Sequence, residues 1–391
     1  KNVPNVRFKG FSESWEQRQL RTMTERIRGN DGRMNLPTLT ISAGNGWLNQ
    51  KERFSDNIAG KEQKNYTLLS KNELSYNHGN SKLAKYGTVF VLRTYSEALV
   101  PRVYHSFKTN DTSSPDFIEY MFATKLPDRE LRKLVSSGAR MDGLLNINFD
   151  DFMGIKVMVP KVSEQNQISI FLRKMDSLIV SNQRKLDQLK EIKKLLMQKI
   201  FDQEWRFKGF TDPWEQRKLG KLGLLERGKS KHRPRNDSKL FGGPYPFIQT
   251  GDVAASLYFL NKYSQTYSEF GIQQSKLWKK GTMVITIAAN VADSAVLEID
   301  AAFPDSIIGF NSEYNNISFI KYELDTISTY LKRTAETGSQ ANLNLAKLRN
   351  LNFEIPNLDE QANIGRLLRN CDQLIASNQQ KLDQLKEMKK W

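Results

Sequence analysis

The chain contains an internal repeat, in which short motifs recur at a nearly constant spacing. Three motifs occur twice: RFKGF at residues 7–11 and 206–210, WEQR at residues 15–18 and 214–217, and KLDQLKE at residues 185–191 and 381–387. The first two recur after 199 residues and the third after 196. The residues between these motifs differ in the two halves. A repeated frame around divergent inserts restricts the chain to two similar units that present different surfaces.

Length and charge narrow the class of protein further. A chain of 391 residues exceeds one ordinary core, whereas two units of about 195 residues are plausible domains. Lys and Arg number 59 against 43 Asp and Glu, and the net charge of +16 favours a polyanionic partner such as nucleic acid. The sequence shows no signal-peptide pattern and no apolar run near the ~20 residues that span a bilayer. The single cysteine, Cys371, cannot form an internal disulfide, so we expect a cytoplasmic protein.

A long helix is predicted at the end of each half. Alternating steps of four and three residues join the positions of one face, which are Ile168, Leu172, Met175, Ile179, Asn182, Leu186 and Leu189, then Ile364, Leu368, Cys371, Ile375, Asn378, Leu382 and Leu385. This period is typical of a coiled-coil seam. We expect the helices to pair, antiparallel and with pseudo-two-fold symmetry; the alternative is that each packs on its own unit. Asn182 and Asn378 occupy matched positions, where a buried Asn fixes register.

Two further pairs of matched segments flank these helices. Residues 163–165 (SEQ) and 359–361 (DEQ) are typical of helix N-terminal caps. Residues 147–155 and 343–351 share an apolar pattern, and we interpret their apolar side chains as core residues without chemistry.

The divergent regions, residues 12–155 and 211–352, combine strand-like and helical patterns. Strands are predicted at residues 88–92, 155–159, 283–287 and 352–355, and helices at residues 115–124 and 324–333. Clusters of Gly, Asn, Ser and Asp separate these elements and predict long polar loops. The predicted fold class is therefore α+β, with two similar mixed α/β domains joined by an antiparallel coiled coil.

One short motif matches the phosphate-binding loop of nucleotide-binding proteins. Residues 223–230 (GLLERGKS) satisfy the pattern, which requires a buried strand before it and a helix after it. The following residues, 231–235 (KHRPR), contain Pro234 and lack apolar periodicity. We therefore interpret the segment as a basic loop; the alternative is a solvated run of charge.

Several polar and basic side chains are candidates for contacts with DNA bases and phosphates. In the second half they are Lys229, Lys231, His232, Arg233, Arg235, Gln249, Thr250 and Asn290. In the first half they are Asn45, Asn77, His78, Ser81, Lys82, Arg93 and Tyr95.

Catalytic motifs are lacking. The three histidines are far apart in sequence and, with one cysteine, they form no zinc pattern. No nucleophile–base arrangement is indicated by spacing. Neither Asp116 nor Asp305 is followed by the E-x-K of a metal-dependent nuclease, and the tetrapeptide of an adenine methyltransferase is absent. We expect a non-enzymatic adaptor without a metal site.

Taken together, the repeated motifs resemble the specificity subunit of type I restriction–modification systems over essentially the whole chain. The resemblance depends on W-E-x-[RK]-x-L at residues 15–20 and 214–219, on Pro160 and Pro356 before the helices, on the Glu-Gln pairs at 164–165 and 360–361, and on the KLDQLK helices. It implies target recognition domains at residues 1–155 and 206–352 and spacer helices at residues 156–205 and 353–391. By the 196-residue spacing, the second helix is expected to be truncated at its C-terminal end.

The resemblance also implies function and partners. Each recognition domain would read one half of a bipartite, asymmetric site in double-stranded DNA, and two methyltransferase subunits and the restriction subunits would be positioned by the chain. No cofactor is expected on this chain, since S-adenosylmethionine, ATP and Mg would act on the partner subunits. The alternative is a non-catalytic coiled-coil scaffold whose globular ends bind protein.

Overall fold

The computed structural model describes residues 6–54, 60–79, 81–135, 144–336 and 343–390. These residues form two compact units. Unit 1 comprises the described residues up to Leu178 and those from Glu387 onward, and unit 2 comprises those from Ile179 to Lys386. Both units mix strands with helices, so the predicted α+β class is confirmed. Within the described ranges, no helix is long and apolar enough to cross a membrane.

Unit 1 is built from short antiparallel strands and helices. Its strands are β1 Glu16–Gln19, β2 Thr24–Arg26, β3 Leu39–Ser42, β4 Gly46–Asn49, β5 Thr67–Ser70, β6 Leu74–Asn77, β7 Thr88–Val91, β8 Glu97–Val100, β9 His105–Thr109 and β10 Lys156–Val159. Its helices are α1 Gln50–Phe54, α2 Pro115–Ala123, α3 Asp128–Leu134, α4 Phe149–Gly154 and the first part of α5 Val162–Phe201, with 3-10 turns at Leu20–Thr22 and Gly60–Asn65. One sheet has the order β2-β9-β6-β7, and the pairs β1–β10, β3–β4 and β5–β8 are two-stranded.

Aromatic side chains form the main core of unit 1. Tyr76 on β6 stacks on Phe152 of α4 with ring centroids 4.1 Å apart, and Phe107 and Phe122 pack beside them. All four side chains are buried, which joins β6 and β9 to α2 and α4. Burial of apolar area on this scale is the main contribution to the stability of such a unit.

Unit 2 contains larger sheets. Its strands are β11 Glu215–Lys218, β12 Leu224–Arg227, β13 Phe241–Phe247, β14 Phe259–Leu260, β15 Gln265–Tyr267, β16 Leu277–Trp278, β17 Met283–Thr286, β18 Ser294–Leu297, β19 Ala301–Ala302, β20 Ile307–Asn311 and β21 Asn352–Ile355. Its helices are α6 Leu219–Leu222, α7 Thr250–Ala254, α8 Glu269–Gln273, α9 Ile317–Glu336, α10 Leu345–Arg349 and α11 Leu358–Lys390, with a 3-10 turn at Ser238–Leu240. The sheet orders are β12-β20-β17-β18-β14, β15-β13-β19-β16 and β11-β21.

The repeated WEQR motif forms the same antiparallel strand pair in both units. In unit 1, β1 pairs with β10, the strand that leads into α5, and in unit 2, β11 pairs with β21, which leads into α11. The tryptophan before each strand meets a phenylalanine edge to face: Trp15 lies 6.0 Å from Phe117 and Trp214 lies 5.6 Å from Phe319. The motif is therefore a structural frame for each long helix.

Two buried ion pairs connect the other repeated motifs. Arg7 donates from Nε and Nη2 to the carboxylate of Glu164 at 2.8 and 2.6 Å, and Arg206 binds Glu360 in the same way at 2.9 and 2.6 Å. The two glutamate side chains are only 2% and 0% exposed. Bidentate pairing of this kind fixes orientation as well as position. We call these pairs the helix anchors, because each holds the first turn of a long helix to its own unit.

The helix anchors correct the capping prediction for residues 163–165 and 359–361. The glutamates bind distant arginines, and Gln165 and Gln361 donate to the carbonyl oxygens of Pro160 and Pro356, each at 2.9 Å. The side chain that caps α11 is Asn357, whose Oδ1 accepts from the backbone N–H of Glu360 at 2.9 Å. The side chains of Glu164, Gln165, Glu360 and Gln361 are therefore not the helix caps, because tertiary partners use them.

The long helices pair antiparallel, as predicted. Within unit 2, Leu186 of α5 packs with Ile375 and Leu382 of α11. Lys193 Nζ lies 2.6 Å from Asp372 Oδ1 in unit 2, and Lys389 contacts Asp176 in unit 1. Residue numbers therefore rise along α5 as they fall along the part of α11 that faces it. The two ion pairs are related by the 196-residue spacing, as the predicted internal repeat requires.

The local predictions for the divergent regions are largely confirmed. The four predicted strands correspond to β7, β10, β17 and β21, and the two predicted helices to α2 and part of α9. The apolar residues of the matched segments before β10 and β21 are largely buried, as expected. The shared asparagines of these segments, Asn148 and Asn344, each cap the short helix that follows by accepting from a backbone N–H.

Residues 223–230 do not form a phosphate-binding loop. Half of the motif, residues 224–227, is strand β12, paired with β20. A Cβ atom on Gly228 would lie 2.3 Å from the carbonyl oxygen of Pro304, and one on Gly223 would lie 2.3 Å from that of Asn311. Both glycines are therefore required by close backbone packing. The strand within the motif supports the interpretation that these residues are not a nucleotide-binding loop.

Candidate nucleic-acid interface

Residues 229–237 of unit 2, which we call the basic strip, form an anchored loop between β12 and the turn at Ser238–Leu240. The backbone N–H of Lys231 donates to the carbonyl oxygen of Gln274 at 3.0 Å, and Ser275 Oγ donates to that of Lys229 at 2.7 Å. These bonds fix the backbone of the strip against the segment that follows α8. The exposed side chains of the strip are thereby held on one defined loop.

Within the strip, His232 has a structural role. Its Nε2 lies 2.9 Å from Asp237 Oδ2, and its ring meets Phe270 of α8 edge to face at 5.3 Å. Asp237 also accepts from the backbone N–H of Lys239 at 3.0 Å. That bond, and then the one from His232, lowers the pKa of Asp237. The predicted DNA contact by His232 stays a prediction. One nitrogen of its ring, Nε2, is already bonded to Asp237 within the loop.

The cationic side chains of the basic strip differ in whether they already have a hydrogen-bond or ion-pair partner. Arg235 Nη2 donates to Asp305 Oδ2 at 2.8 Å, and Arg233 donates to the carbonyl oxygen of Ser230 at 2.6 Å. Among the described residues, no carboxylate lies within ion-pair distance of Lys229 or Lys231, and both are exposed. The two lysines are therefore the cations of the strip most accessible to phosphate.

The remaining unit 2 candidates lie on separate turns. Gln249 precedes α7 and donates from Nε2 to Gln265 Oε1 at 2.6 Å, and Thr250 begins α7 and is half-buried. Asn290 is exposed in the turn between β17 and β18, with φ of 50°. Ala289 in the same turn has φ of 45°, a conformation that side-chain-bearing residues rarely adopt.

In unit 1, the structure brings three of the candidates to one area. Asn45 is exposed at the tip of the β3–β4 hairpin. A Cβ atom on the neighbouring Gly44 would lie 3.3 Å from the side chain of Leu83, so this hairpin tip lies against the segment that carries Ser81 and Lys82. Ser81 and Lys82 are also exposed. This surface is the best counterpart of the basic strip in unit 1.

Two other unit 1 candidates have structural roles. His78 is buried, with Nδ1 2.7 Å from the carbonyl oxygen of Leu145 and Nε2 2.9 Å from that of Val103. Asn77 donates to the carbonyl oxygen of Ile41 at 3.3 Å and accepts from Gly79 N. Both side chains tie β6 to its neighbours, so neither is free to reach a base edge in this conformation.

The side chains of Arg93 and Tyr95 also contact other residues of unit 1. Arg93 forms a part-buried cluster with Asp116 and Glu119, donating to Asp116 Oδ1 at 2.5 Å. Tyr95 packs at the edge of a small core under β3, β5 and β8. A contact between Arg93 and a phosphate would require this carboxylate cluster to open, and we assign it a structural role.

The two asparagines predicted to set the coiled-coil register differ in environment. Asn182 is buried, at 8% exposure, whereas Asn378 is half-buried and donates to the carbonyl oxygen of Leu374 in its own helix at 2.8 Å. The polar side chains seen to join the helices are Lys193 and Asp372 in unit 2, and Lys389 and Asp176 in unit 1. The sequence contained a signal for these residues, since the lysines (193 and 389) and the aspartates (176 and 372) each recur after 196 residues. Among the described residues, no group of His, Cys, Asp and Glu is arranged to hold a metal ion.

Comparisons with known proteins match this architecture. Residues 211–387 match the family model for the type I restriction modification DNA specificity domain. A Methanocaldococcus jannaschii protein assigned as the specificity subunit of the type I restriction enzyme MjaX is 22% identical over 256 residues, which are 63% of this chain and 59% of that protein. The MjaVIII specificity subunit of the same organism is 23% identical over 308 residues, covering 70% and 68% of the two chains.

A solved structure has the same fold over nearly the full length. The crystal structure of the type I restriction–modification system S subunit from M. genitalium has a TM-score of 0.66 and 13% identity, covering 99% of this chain and 96% of that one. This likeness shows that the fold is shared over both halves of the chain. Residues 211–387 thus match the DNA specificity domain of type I restriction–modification systems, and the resemblance stated from the motifs is confirmed.

Proposed function

We infer that this chain is a non-catalytic, DNA-binding subunit that gives a type I restriction–modification complex its sequence specificity. Residues 1–155 and 206–352 are the two target recognition domains, and residues 156–205 and 353–391 carry the spacer helices. Each domain reads one half of a bipartite, asymmetric site in double-stranded DNA. The spacer helices set the distance between the half-sites.

One observation supports this proposal most directly. The elements that hold the start of each long helix are the same in the two units, whereas the segments between them differ. The helix anchors and the β1–β10 and β11–β21 pairs repeat. The central sheets share one strand order, since β2-β9-β6-β7 corresponds to β12-β20-β17-β18. The surrounding strands differ, because unit 2 adds β14 and the sheet β15-β13-β19-β16, whereas unit 1 has the pairs β3–β4 and β5–β8. Identical attachment of two different surfaces is what recognition of two different half-sites requires.

The chemistry of the exposed loops supports DNA as the ligand. The basic strip offers accessible lysines for phosphates, together with arginines that can bind guanine edges in pairs of hydrogen bonds. Asn45, Ser81 and Lys82 offer smaller polar contacts in unit 1. The net charge of +16 favours the same partner.

Matched apolar side chains on the long helices support docking of two methyltransferase subunits. Leu178 and Met388 in unit 1 are 48% and 54% exposed, and Ile192 and Leu374 in unit 2 are 52% and 54% exposed. The Lys389–Asp176 pair in unit 1 and the Lys193–Asp372 pair in unit 2 place the two residues of each set at the same level of the helices. Equivalent patches on the two units suit two copies of one partner. The restriction subunits join the complex of this chain with the methyltransferase subunits. S-adenosylmethionine, ATP and Mg act on these partner subunits.

The proposal is tested by DNA binding with the methyltransferase partner present. Methylation mapping in a host that carries the complex identifies the site. Fluorescence anisotropy then compares that duplex with one whose half-sites are scrambled. Tight, site-dependent binding whose log affinity falls steeply with log salt is expected. Binding that ignores both duplex sequence and salt would instead support a protein-binding scaffold, and methyl transfer by this chain alone would contradict a non-catalytic role.

The basic strip provides the matched variants. Lys229→Met together with Lys231→Met should weaken binding to every duplex and reduce the salt slope by about 2, if each lysine meets one phosphate. Lys221→Met, which removes an exposed lysine of the same unit outside the strip, is the control. An unchanged slope in the double variant would remove the strip from the interface.

A further inference from the structure

We propose that two matched Lys–Asp–Tyr clusters, one in each unit, lock the register of the long helices and so define the half-site spacing that this chain accepts. We call them the register locks: Lys193, Asp372 and Tyr322 in unit 2, and Lys389, Asp176 and Tyr120 in unit 1. The proposal deepens the proposed function and rests on it for its DNA-binding consequence. The locking of the helix register stands on contacts alone.

The unit 2 lock is buried. Asp372 is 3% exposed and is shared by two donors, Lys193 Nζ at 2.6 Å and the hydroxyl of Tyr322 at 2.6 Å. The ammonium of Lys193 also lies 5.1 Å from the centre of the Tyr322 ring. Lys193 comes from α5, Asp372 from α11 and Tyr322 from α9 of the domain core. One carboxylate thus joins both long helices to the domain.

The unit 1 lock repeats this arrangement. Lys389 of α11 contacts Asp176 of α5, whose other oxygen accepts from the hydroxyl of Tyr120 on α2 at 2.8 Å. The ammonium of Lys389 lies 5.9 Å from the centre of the Tyr120 ring. Here the lysine and aspartate side chains are 37% and 38% exposed. The two locks have the same chemistry, and the unit 2 lock is the less hydrated.

The locks and the helix anchors define equal lengths on the two helices. On α5, Glu164 is the anchor and Lys193 the lock residue; on α11, they are Glu360 and Lys389. Both intervals are 29 residues. Each long helix therefore has the same number of residues between its anchor and its lock residue.

The apolar seam alone would leave the register open, although Ile200 of α5 is also buried in the core of unit 2. The seam repeats every seven residues, so a shift of one heptad, ~10.5 Å along the axis, restores a similar set of apolar contacts. That shift corresponds to ~3 base pairs at ~3.4 Å per step. It would leave Asp372 as a buried charge without its lysine, which is strongly unfavourable. The locks thus distinguish one register from its neighbours.

A DNA-independent measurement tests the lock itself. Spin labels at Glu191 and Gln384, both exposed, are introduced into the full chain with Cys371→Ser, and the distance between them is measured by pulsed electron resonance. Lys193→Met with Lys389→Met should add a second distance population displaced by about 10 Å. Lys190→Met with Lys386→Met is the control, because these exposed lysines share the helices, the 196-residue spacing and the charge change. A single, unshifted population in the lock variant would overturn the proposal.

The consequence for specificity is measured with the methyltransferase complex. Duplexes carry the two half-sites at the natural spacing and at spacings changed by about three base pairs. The wild-type chain and the control should prefer the natural spacing, and the lock variant should lose at least about tenfold of that preference. Equal loss of affinity at every spacing would show a merely structural role. If the wild-type chain shows no preference for the natural spacing, the proposed function is contradicted. The distance measurement between the spin labels still tests the register lock in that case.

Asp372→Asn with Asp176→Asn guards against failure to fold. Asparagine has nearly the same shape and can still accept from the tyrosine hydroxyls, but it lacks the charge that the lysines require. This variant should reproduce the second distance population. If it folds with an unshifted register, the ion pair is not the lock.

Discussion

Glu323 on α9 is a buried carboxyl group in unit 2, with 9% exposure. It accepts from the backbone N–H of Glu354 at 3.3 Å. Burial, and then the charge of Glu354, raises its pKa to about 7. In the unfolded chain the group titrates near 4.5, so the folded state holds a proton that the unfolded state has lost between these two values. The free energy of unfolding therefore falls as the pH rises from 4.5 to 7.

Glu323→Gln should remove this dependence, because the amide remains neutral and keeps an oxygen for Glu354 N–H. At pH 8 we expect the variant to be more stable than the wild type by on the order of 2 kcal/mol, and at pH 4 we expect no difference. Urea unfolding of the full chain at both pH values measures this. Glu313→Gln, at an exposed position of the same unit, should change little at either pH.

His105 in unit 1 is expected to respond to pH with the opposite sign. Its Nε2 lies 2.8 Å from the carbonyl oxygen of Ile147, and burial lowers its pKa to about 4. The unfolded ring, with a pKa near 6.5, binds a proton that the folded ring excludes. Stability present above pH 6.5 should therefore be lost as the pH falls toward 4.

His105→Gln keeps a donor for Ile147 and abolishes the titration. Hydrogen exchange of unit 1 amides at pH 7 and pH 5 should show an acid-induced loss of protection in the wild type, on the order of tenfold, that the variant lacks. His232→Gln, at a half-buried position in unit 2, is the control. The same acid-induced loss in the His105 variant would show that another group is responsible.

Among the secondary-structure elements, the starts of the long helices depend on partners far away in sequence. Arg7 and Glu164 are 157 residues apart, and Arg206 and Glu360 are 154 apart. Glu360→Gln should loosen the first turns of α11, because the neutral amide cannot form the charge-assisted pair of bonds with Arg206. We expect amide exchange there to rise by about tenfold. The matched control is Glu354→Gln, on β21 and outside the anchor; equal exchange in both variants would contradict the anchor role.

Much of this element-level structure follows from local sequence patterns. The seam from Ile168 to Leu189 predicted a paired helix, because a 3.5-residue period is a property of neighbouring residues. Strands such as β17 were predicted for the same reason. The roles of Glu164 and Arg93 could not be predicted in this way, since each depends on a partner that only the fold brings near. The spacing of Asp176 and Asp372 was available in the sequence, but their partners were not.

At the scale of the whole molecule, the boundary between the units runs through both long helices. Residues 387–390 of α11 belong to unit 1, and residues 179–201 of α5 belong to unit 2. Unit 1 therefore receives Lys389 and Met388 from the far end of the sequence, and Ile200 of α5 packs in the main core of unit 2.

Removal of residues 387–391 should affect unit 1 and spare unit 2. Asp176 and Tyr120 lose the lysine between them, and since this pair is partly exposed we expect a loss of no more than about 1 kcal/mol. Hydrogen exchange around Tyr120 and Asp176 reports on unit 1, and exchange around Tyr322 reports on unit 2. Loss of protection in both units, or in neither, would contradict the division of the chain described above.

The lock in unit 1 also has a consequence for how the protein is made. Asp176 and Lys389 are separated by 213 residues, so unit 1 must wait for this contact until the chain has been synthesised as far as Lys389. Its other elements precede α11 by the whole of unit 2 and can fold as they leave the ribosome. A chain that stopped before Lys389 would carry unit 1 without its lock. The unit 1 lock can therefore form only after the whole of unit 2 up to Lys386 has been synthesised.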